Sequence, residues 1–359
     1  MITSKPVIRL ADLLAFLNYP ESRISYPVGY LGAKWFRGGA LGIAAMCECV
    51  IAKKNRKITI AVPSYFCGQT LRFLRSISVN IVFYELSEEL TPDFQKIEKQ
   101  FLNVEVDIFV LVHYFGSIKA QREARIFADC KDAVMLEDAA HVYSYKHHEW
   151  LGDYLLFSPH KHFASPEIGL LIFKKPEPFY EKEDSISPIF PFKWLLKQVF
   201  RAMFVKSTSS WGVVWCDDAR NIDRKSPDRY SVKQAIFNLQ NPDDAIKTRK
   251  NNAAILLKKL SYVGGWRQFN NFSTLDTPYL LPMICDDANI AKQRYEKLNV
   301  HCPLVMQWPD LPGELKTVHF DTSLVAAWLD RVLFFFIHQQ MDEENWLGQV
   351  KQIITAKGF

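Results

Sequence analysis

Short apolar runs alternate with amphipathic stretches through the first half of this chain, the pattern of buried strands joined by helices. The runs at residues 58–62, 81–84, 107–112, 133–136 and 154–157 are predicted strands. Between them fall a helix starting at the Gly38–Gly39 pair and ending at the basic cluster Lys53–Lys54, a helix over 69–76, one entered at Thr91 and Pro92, and one over 119–128. Thr91 is placed as the N-cap, with Pro92 at the first helical position, where no N–H is needed. This alternation predicts right-handed crossovers and an α/β fold whose mostly parallel sheet is covered on both faces. Ligands of such sheets bind at the carboxyl ends of the strands, where Ser64, His113, Asp138 and Ser158 fall.

The pattern changes at both ends of this block. Residues 1–36 read as an arm, a small amphipathic segment followed by a Tyr-, Gly- and Pro-rich approach. After Phe173 comes a loop rich in proline and acids, then FPFKWLLKQVFRAMF, where Lys193, Lys197 and Arg201 line one side of an apolar face. That segment is expected to be a helix covering the site or a dimer contact, and the tryptophans at 211–215 agree with burial. From about residue 243 a second unit is expected: a helix over 244–260, a strand over 279–285, a helix over 288–298, a strand over 332–337 and a terminal helix from Glu343. The division implied is a large domain of residues 1–240, arm included, and a small C-terminal α+β domain of residues 241–359.

Composition narrows the function. With 359 residues, 48% of them apolar, the chain can bury a sizeable core. A net charge of +5 from 44 basic and 39 acidic residues is too evenly mixed for a nucleic-acid interface, and suits an anionic substrate. The seven cysteines show no paired C-x-x-C spacing, which argues against a disulfide framework or a zinc site and fits a reducing cytoplasm. Asp12 interrupts the only apolar patch near the amino terminus, so a secretory core is not expected, and no apolar run reaches membrane-spanning length. His147, His148 and Glu149 are adjacent and diverge in a tight turn, so no metal is expected there.

The chemistry concentrates between Val134 and Gly169. One apolar run stops at Glu137 and Asp138; the next stops at Ser158, Pro159, His160 and Lys161. An acid and an amine at neighbouring strand tips suit pyridoxal 5'-phosphate, which needs a lysine to hold its aldehyde and a carboxylate to keep its ring nitrogen protonated. Residue types alone leave a second reading open, that of solvated strand tips. The glycines at 38 and 39 also admit two readings, a helix N-terminus shaped for a phosphate or a close helix–strand contact.

As an ordered set these motifs resemble the DegT/StrS family of sugar aminotransferases, in a branch whose lysine follows Ser by three residues. The set comprises EDAAH from Glu137, the Leu151-Gly152-Asp153 turn and FSPHK from Phe157. It continues with RGGAL from Arg37, VPSYFC from Val62, HYFG from His113, QWPDLP from Gln307 and FIHQQ from Phe336. The resemblance implies a fold-type-I pyridoxal-phosphate enzyme, homodimeric, passing an amino group from an amino acid, glutamate, to a nucleotide-linked keto-sugar. It implies that Lys161 holds the cofactor and moves the proton, that Asp138 pairs with the ring nitrogen, and that His141 touches the phenolic oxygen. Ser158 and the backbone around Gly38, Gly39 and Ala40 would hold the phosphate, and Tyr65 or Phe66 would cover the ring. Three departures stand out: Cys67 where the stacking aromatic is commoner, Ile168-Gly169 in place of a glycine pair, and no clear counterpart of the Asn lent across the dimer, with Arg229 or Tyr230 as substitutes. They leave as alternatives a cofactor-less binding or regulatory protein of this fold, or a pyridoxal-phosphate enzyme acting on a non-sugar substrate.

Overall fold

The computed structural model describes residues 27–87, 89–146, 148–175, 186–188, 191–196, 226–260, 265–269, 272–273, 276–301, 305–306 and 330–341. Most of the arm, most of the FPFKWLLKQVFRAMF segment, the 211–215 tryptophans, the QWPDLP motif and the terminal helix lie outside the described residues.

A seven-stranded sheet dominates the described chain. In order of sequence its strands are β1 (Gly32–Phe36), β2 (Ile58–Pro63), β3 (Val79–Tyr84), β4 (Ile108–Val112), β5 (Val134–Asp138), β6 (Tyr154–Phe157) and β7 (Gly169–Phe173). They lie side by side as β1-β7-β6-β5-β4-β2-β3. Strands β2 to β6 pair in parallel, while β7 runs antiparallel to both β6 and β1. The helices are α1 (Gly39–Lys54), α2 (Gly68–Arg75), α3 (Phe94–Gln100) and α4 (Gln121–Cys130). All of β6 and β7 is buried, as a doubly covered sheet requires of its inner strands.

Two expectations are corrected. The end of the arm is a strand: Gly32–Phe36 pairs with β7, Phe36 opposite Gly169, so the chain enters α1 from inside the sheet. Alternation there is weak, with two of the five positions buried, which is why sequence periodicity misses it. Nor does Thr91 cap α3. Its hydroxyl is 2.7 Å from that of Ser87 and its carbonyl accepts from Ser87 N–H at 2.8 Å, closing a turn. Asp93 takes the cap instead, accepting from Lys96 N–H at 3.3 Å.

A second, antiparallel sheet has the order β10-β11-β9-β8, formed by β8 (Trp266–Gln268), β9 (Leu280–Cys285), β10 (Val305–Met306) and β11 (Val332–Phe336). Helix α5 (Arg229–Gln240) packs Val232, Ala235 and Leu239 against the seven-stranded sheet, and α6 (Asp243–Leu260) and α7 (Ala288–His301) follow it in the chain. Phe334 of β11 packs on Phe115 with ring centroids 4.9 Å apart, so one continuous core joins the two sheets.

Candidate active site

The parallel strands deliver their carboxyl ends to one edge, and the site is assembled there. Asp138 is the last residue of β5 and is buried. Among the described residues its carboxylate accepts one hydrogen bond, from Ala140 N–H at 3.0 Å, although an ionised carboxylate can take about four. Burial pushes its pKa above the ordinary carboxylate range, and the Lys161 ammonium, the Ala140 N–H and His113 offset part of the rise. A buried acid so sparsely satisfied fits a cationic partner such as a protonated ring nitrogen.

Lys161 closes a single 3₁₀ turn, Pro159–Lys161, that begins where β6 ends. Its charge is felt by Asp138, His141 and His162, so all four share one electrostatic environment. The amine is half-buried, and among the described residues no hydrogen bond or ion pair holds it.

His141 follows Asp138 by three residues and lies between two rings, Phe115 at 5.8 Å and 12° and Tyr279 at 4.9 Å and 14°. Burial, then the charges of Lys161 and His162, lower its pKa well below the usual histidine value, so it is neutral. Phe115 N–H donates to His141 Nδ1 at 3.3 Å, which places the ring proton on Nε2. With both faces covered, the ring offers only its edge, as a hydrogen-bond donor to an oxygen would.

Phe115 belongs to a tight Tyr114–Gly116 turn and has φ 56 and ψ 15, a left-handed conformation rare for a bulky residue. Its surroundings hold it there: N–H to His141, and its carbonyl accepting from Tyr279 N–H at 2.7 Å. Gly116, at φ 91, has no room for a side chain, since a Cβ would stand 2.3 Å from Thr277 O.

The start of α1 lies against the end of β6. Gly38 caps α1 at φ 127 and ψ 151, a conformation favouring glycine, and leaves the first N–H groups of the helix without a side-chain cap. A Cβ on Gly39 would fall 2.8 Å from Ser158 Oγ, so the buried Ser158 hydroxyl sits directly against the helix start. One on Gly169 would fall 2.6 Å from both Gly38 C and Gly39 N. Ala40, next in α1, is buried with Leu41, Ala44 and Phe73. Three backbone segments thus converge on one helix N-terminus, and they fit a phosphate group. The close helix–strand contact is therefore present: Gly169 of β7 lies directly against the backbone of Gly38 and Gly39.

Tyr65 and Phe66 are both buried at the end of β2. The Tyr114 hydroxyl donates to Tyr65 O, and the Tyr65 and Tyr114 rings are 6.0 Å apart. Glu137 points away from this cluster and is structural: it takes N–H groups of Leu151 at 2.7 Å and Gly152 at 2.6 Å, Gln121 at 2.6 Å and His113 Nε2 at 2.8 Å. His160 Nδ1 is bound to the backbone of Ile168, accepting its N–H at 3.3 Å. Asp228 serves as the cap of α5, taking Ser231 N–H at 2.8 Å, while Tyr230 is buried within its own chain.

Sequence reasoning missed Phe115, Tyr279, Arg249 and Gln339. Arg249, on α6, is fully buried, with its guanidinium 5.1 Å from the Tyr143 ring centre. The HYFG and FIHQQ motifs contain Phe115 and Gln339 and are the signal that could have found them. Among the described residues no group of three or more His, Cys, Asp or Glu side chains is placed to hold a metal, and no helix is long and apolar enough to cross a membrane.

No family model matches this sequence, and no curated protein does. Solved structures do match by shape. PseC of Helicobacter pylori, an aminotransferase involved in the biosynthesis of pseudoaminic acid, aligns over 98% of each chain with a TM-score of 0.67 at 12% identity. The aminotransferase TlmJ of Streptoalloteichus hindustanus aligns over 97% of this chain and 96% of its own, with a TM-score of 0.68 at 14% identity. The E. coli GDP-4-keto-6-deoxy-D-mannose-3-dehydratase, solved with bound hydrated pyridoxal phosphate, covers 91% of this chain and 88% of its own, with a TM-score of 0.65 at 16% identity. The chain therefore has the fold of the fold-type-I pyridoxal-phosphate enzymes.

Proposed function

We propose that this chain belongs with the DegT/StrS sugar aminotransferases and uses pyridoxal 5'-phosphate to move an amino group from an amino acid, glutamate, to a nucleotide-linked keto-sugar. The observation that carries the reading is the pairing, at adjacent strand ends, of a buried, under-bonded carboxylate with a lysine whose charge it feels. Bound in this place, the cofactor supplies an electron sink for the carbon bearing the amine. Asp138 keeps the ring nitrogen charged, Lys161 binds the aldehyde and carries the proton at the reacting carbon, and neutral His141 offers an N–H edge. The α1 N-terminus and Ser158 hold the phosphate. Presence of Lys161 favours transamination over dehydration, because dehydratases resembling this chain carry histidine in its place. A homodimer in the cytoplasm completes the reading, supported by the balanced charge, the unpaired cysteine spacing and the resemblance.

The test is direct. Incubated with pyridoxal phosphate, the protein gains visible absorbance, and borohydride fixes the added mass on the peptide containing Lys161. Lys161→Ala gains neither. A parent protein that stays colourless overturns the proposal and favours a binding protein of the same fold; keto-sugar nucleotides with labelled glutamate then identify the acceptor by product mass.

A further inference from the structure

Lys161 sits on a turn too short to hold itself. The turn is closed by Lys161 N–H to Ser158 O at 3.0 Å, His162 N–H to Pro159 O at 2.9 Å and Phe163 N–H to Pro159 O at 3.0 Å. Such a turn leaves its last carbonyls exposed at the C-terminal side. One of them, His162 O, accepts from Gln339 Nε2 at 2.9 Å, although Gln339 lies just beyond β11, an inner strand of the other sheet. The other end of the same amide, Gln339 Oε1, accepts from Arg249 Nε at 2.9 Å.

Donor and acceptor types fix this arrangement. A guanidinium only donates and a carbonyl only accepts, so the Gln339 amide has one orientation that satisfies both. Arg249 is itself held: its Nη1 donates to Tyr279 O at 3.2 Å and Pro278 O at 3.4 Å, and its flat face covers Tyr143. Asn252, one turn further along α6, donates to Ile337 O at 3.4 Å and His338 O at 3.3 Å, which pins the chain leading into Gln339. Among the described residues no carboxylate neutralises Arg249.

We infer that Gln339, oriented by Arg249, is a positioning residue that sets the Lys161 turn, and that this is what the FIHQQ segment does. The inference rests on the reading of Lys161 as the cofactor-binding amine. It also ties the two sheets together at the residue that matters: α6 and the end of β11 move with the lysine.

Gln339→Glu separates the positioning role from a merely structural one. The carboxylate keeps the bond to Arg249 and neutralises it, while the donor to His162 O is lost and an acceptor faces an acceptor. The variant is expected to melt no lower than the parent, yet to capture pyridoxal phosphate about tenfold or more slowly, the loss expected when a reacting group is displaced by a fraction of an ångström. A second readout needs no cofactor: the rate at which an amine-reactive acyl reagent labels Lys161 in the apo protein, followed by peptide mass across a pH series, shifts in the same variant. Gln339→Met, which has neither donor nor acceptor of comparable strength, carries the same comparison should the charged variant fail to fold. Capture and labelling within about twofold of the parent overturn the inference. If the parent itself does not capture the cofactor, the proposed function fails, and the labelling comparison still decides the role of Gln339.

Discussion

The hydroxyl of Ser158 stands where a methyl group on Gly39 would have to go, 2.8 Å from that position. A strand end and a helix start, far apart in sequence, therefore share one small volume, with the hydroxyl beside the uncapped first turn of α1. Gly39→Ala forces the hydroxyl aside, and Ser158→Ala removes it. Each is expected to weaken pyridoxal phosphate binding by about 1.5–3 kcal/mol, or about 10- to 100-fold, the contribution of a hydrogen bond to a charged group. Absorbance titration of the apo protein measures both.

Asp138→Asn is expected to stabilise the apo protein while disabling it. Burial holds the folded-state pKa above the unfolded value, so ionising this group costs stability at every pH above that folded value, and the cost fades as pH falls toward the unfolded pKa. The amide removes the cost. A melting temperature higher by roughly 1–3 °C near pH 8, shrinking toward pH 4, is the expected result. The proposed amino transfer would fall by about 10²-fold or more, because a ring nitrogen bound there would lose its counter-charge.

Glu137 behaves in the opposite sense. Burial alone would raise its pKa, but bonds from His113, Gly152 and Gln121 outweigh that and leave it below the ordinary value. Its contribution is then complete above the unfolded carboxylate pKa of about 4.3 and is lost as pH falls through the folded value. Melting curves of the parent and Glu137→Gln should differ most near neutral pH and converge as pH drops below about 4.

Gly169→Ala tests the packing that shapes the cradle. Its Cβ would meet the backbone of Gly38 and Gly39 at 2.6 Å, and backbone cannot swing away as a side chain can. Destabilisation of about 1–3 kcal/mol is expected in denaturant unfolding. Under the proposed function cofactor affinity should fall with it, since the same backbone atoms would hold the phosphate.

The alternation of β2 to β6 with α1 to α4 was legible because each strand carries a short apolar run bounded by polar residues, and the polar residues at or just after the tips stand out. Asp138, Ser158 and Lys161 were singled out this way, and the structure places Asp138 at the end of β5 and Ser158 and Lys161 just after β6. Strand β1 was not, since it pairs on one side only and half of its positions face outward. The Phe115–His141–Tyr279 stack was also hidden: it joins a turn, a strand end and the far sheet, and no local pattern encodes which rings meet. Arg249 reads from sequence as one more basic residue on a polar helix, and only burial distinguishes it.

The β1–β7 pairing places Phe36 opposite Gly169, across well over a hundred intervening residues. This corner therefore completes late in synthesis: α1 can form early from local contacts, but its N-terminus lacks the Gly169 contact until β7 has emerged and docked. The corner proposed to hold the cofactor phosphate thus depends on two segments made far apart in time, and it is complete only once the antiparallel strand at residue 169 is in place.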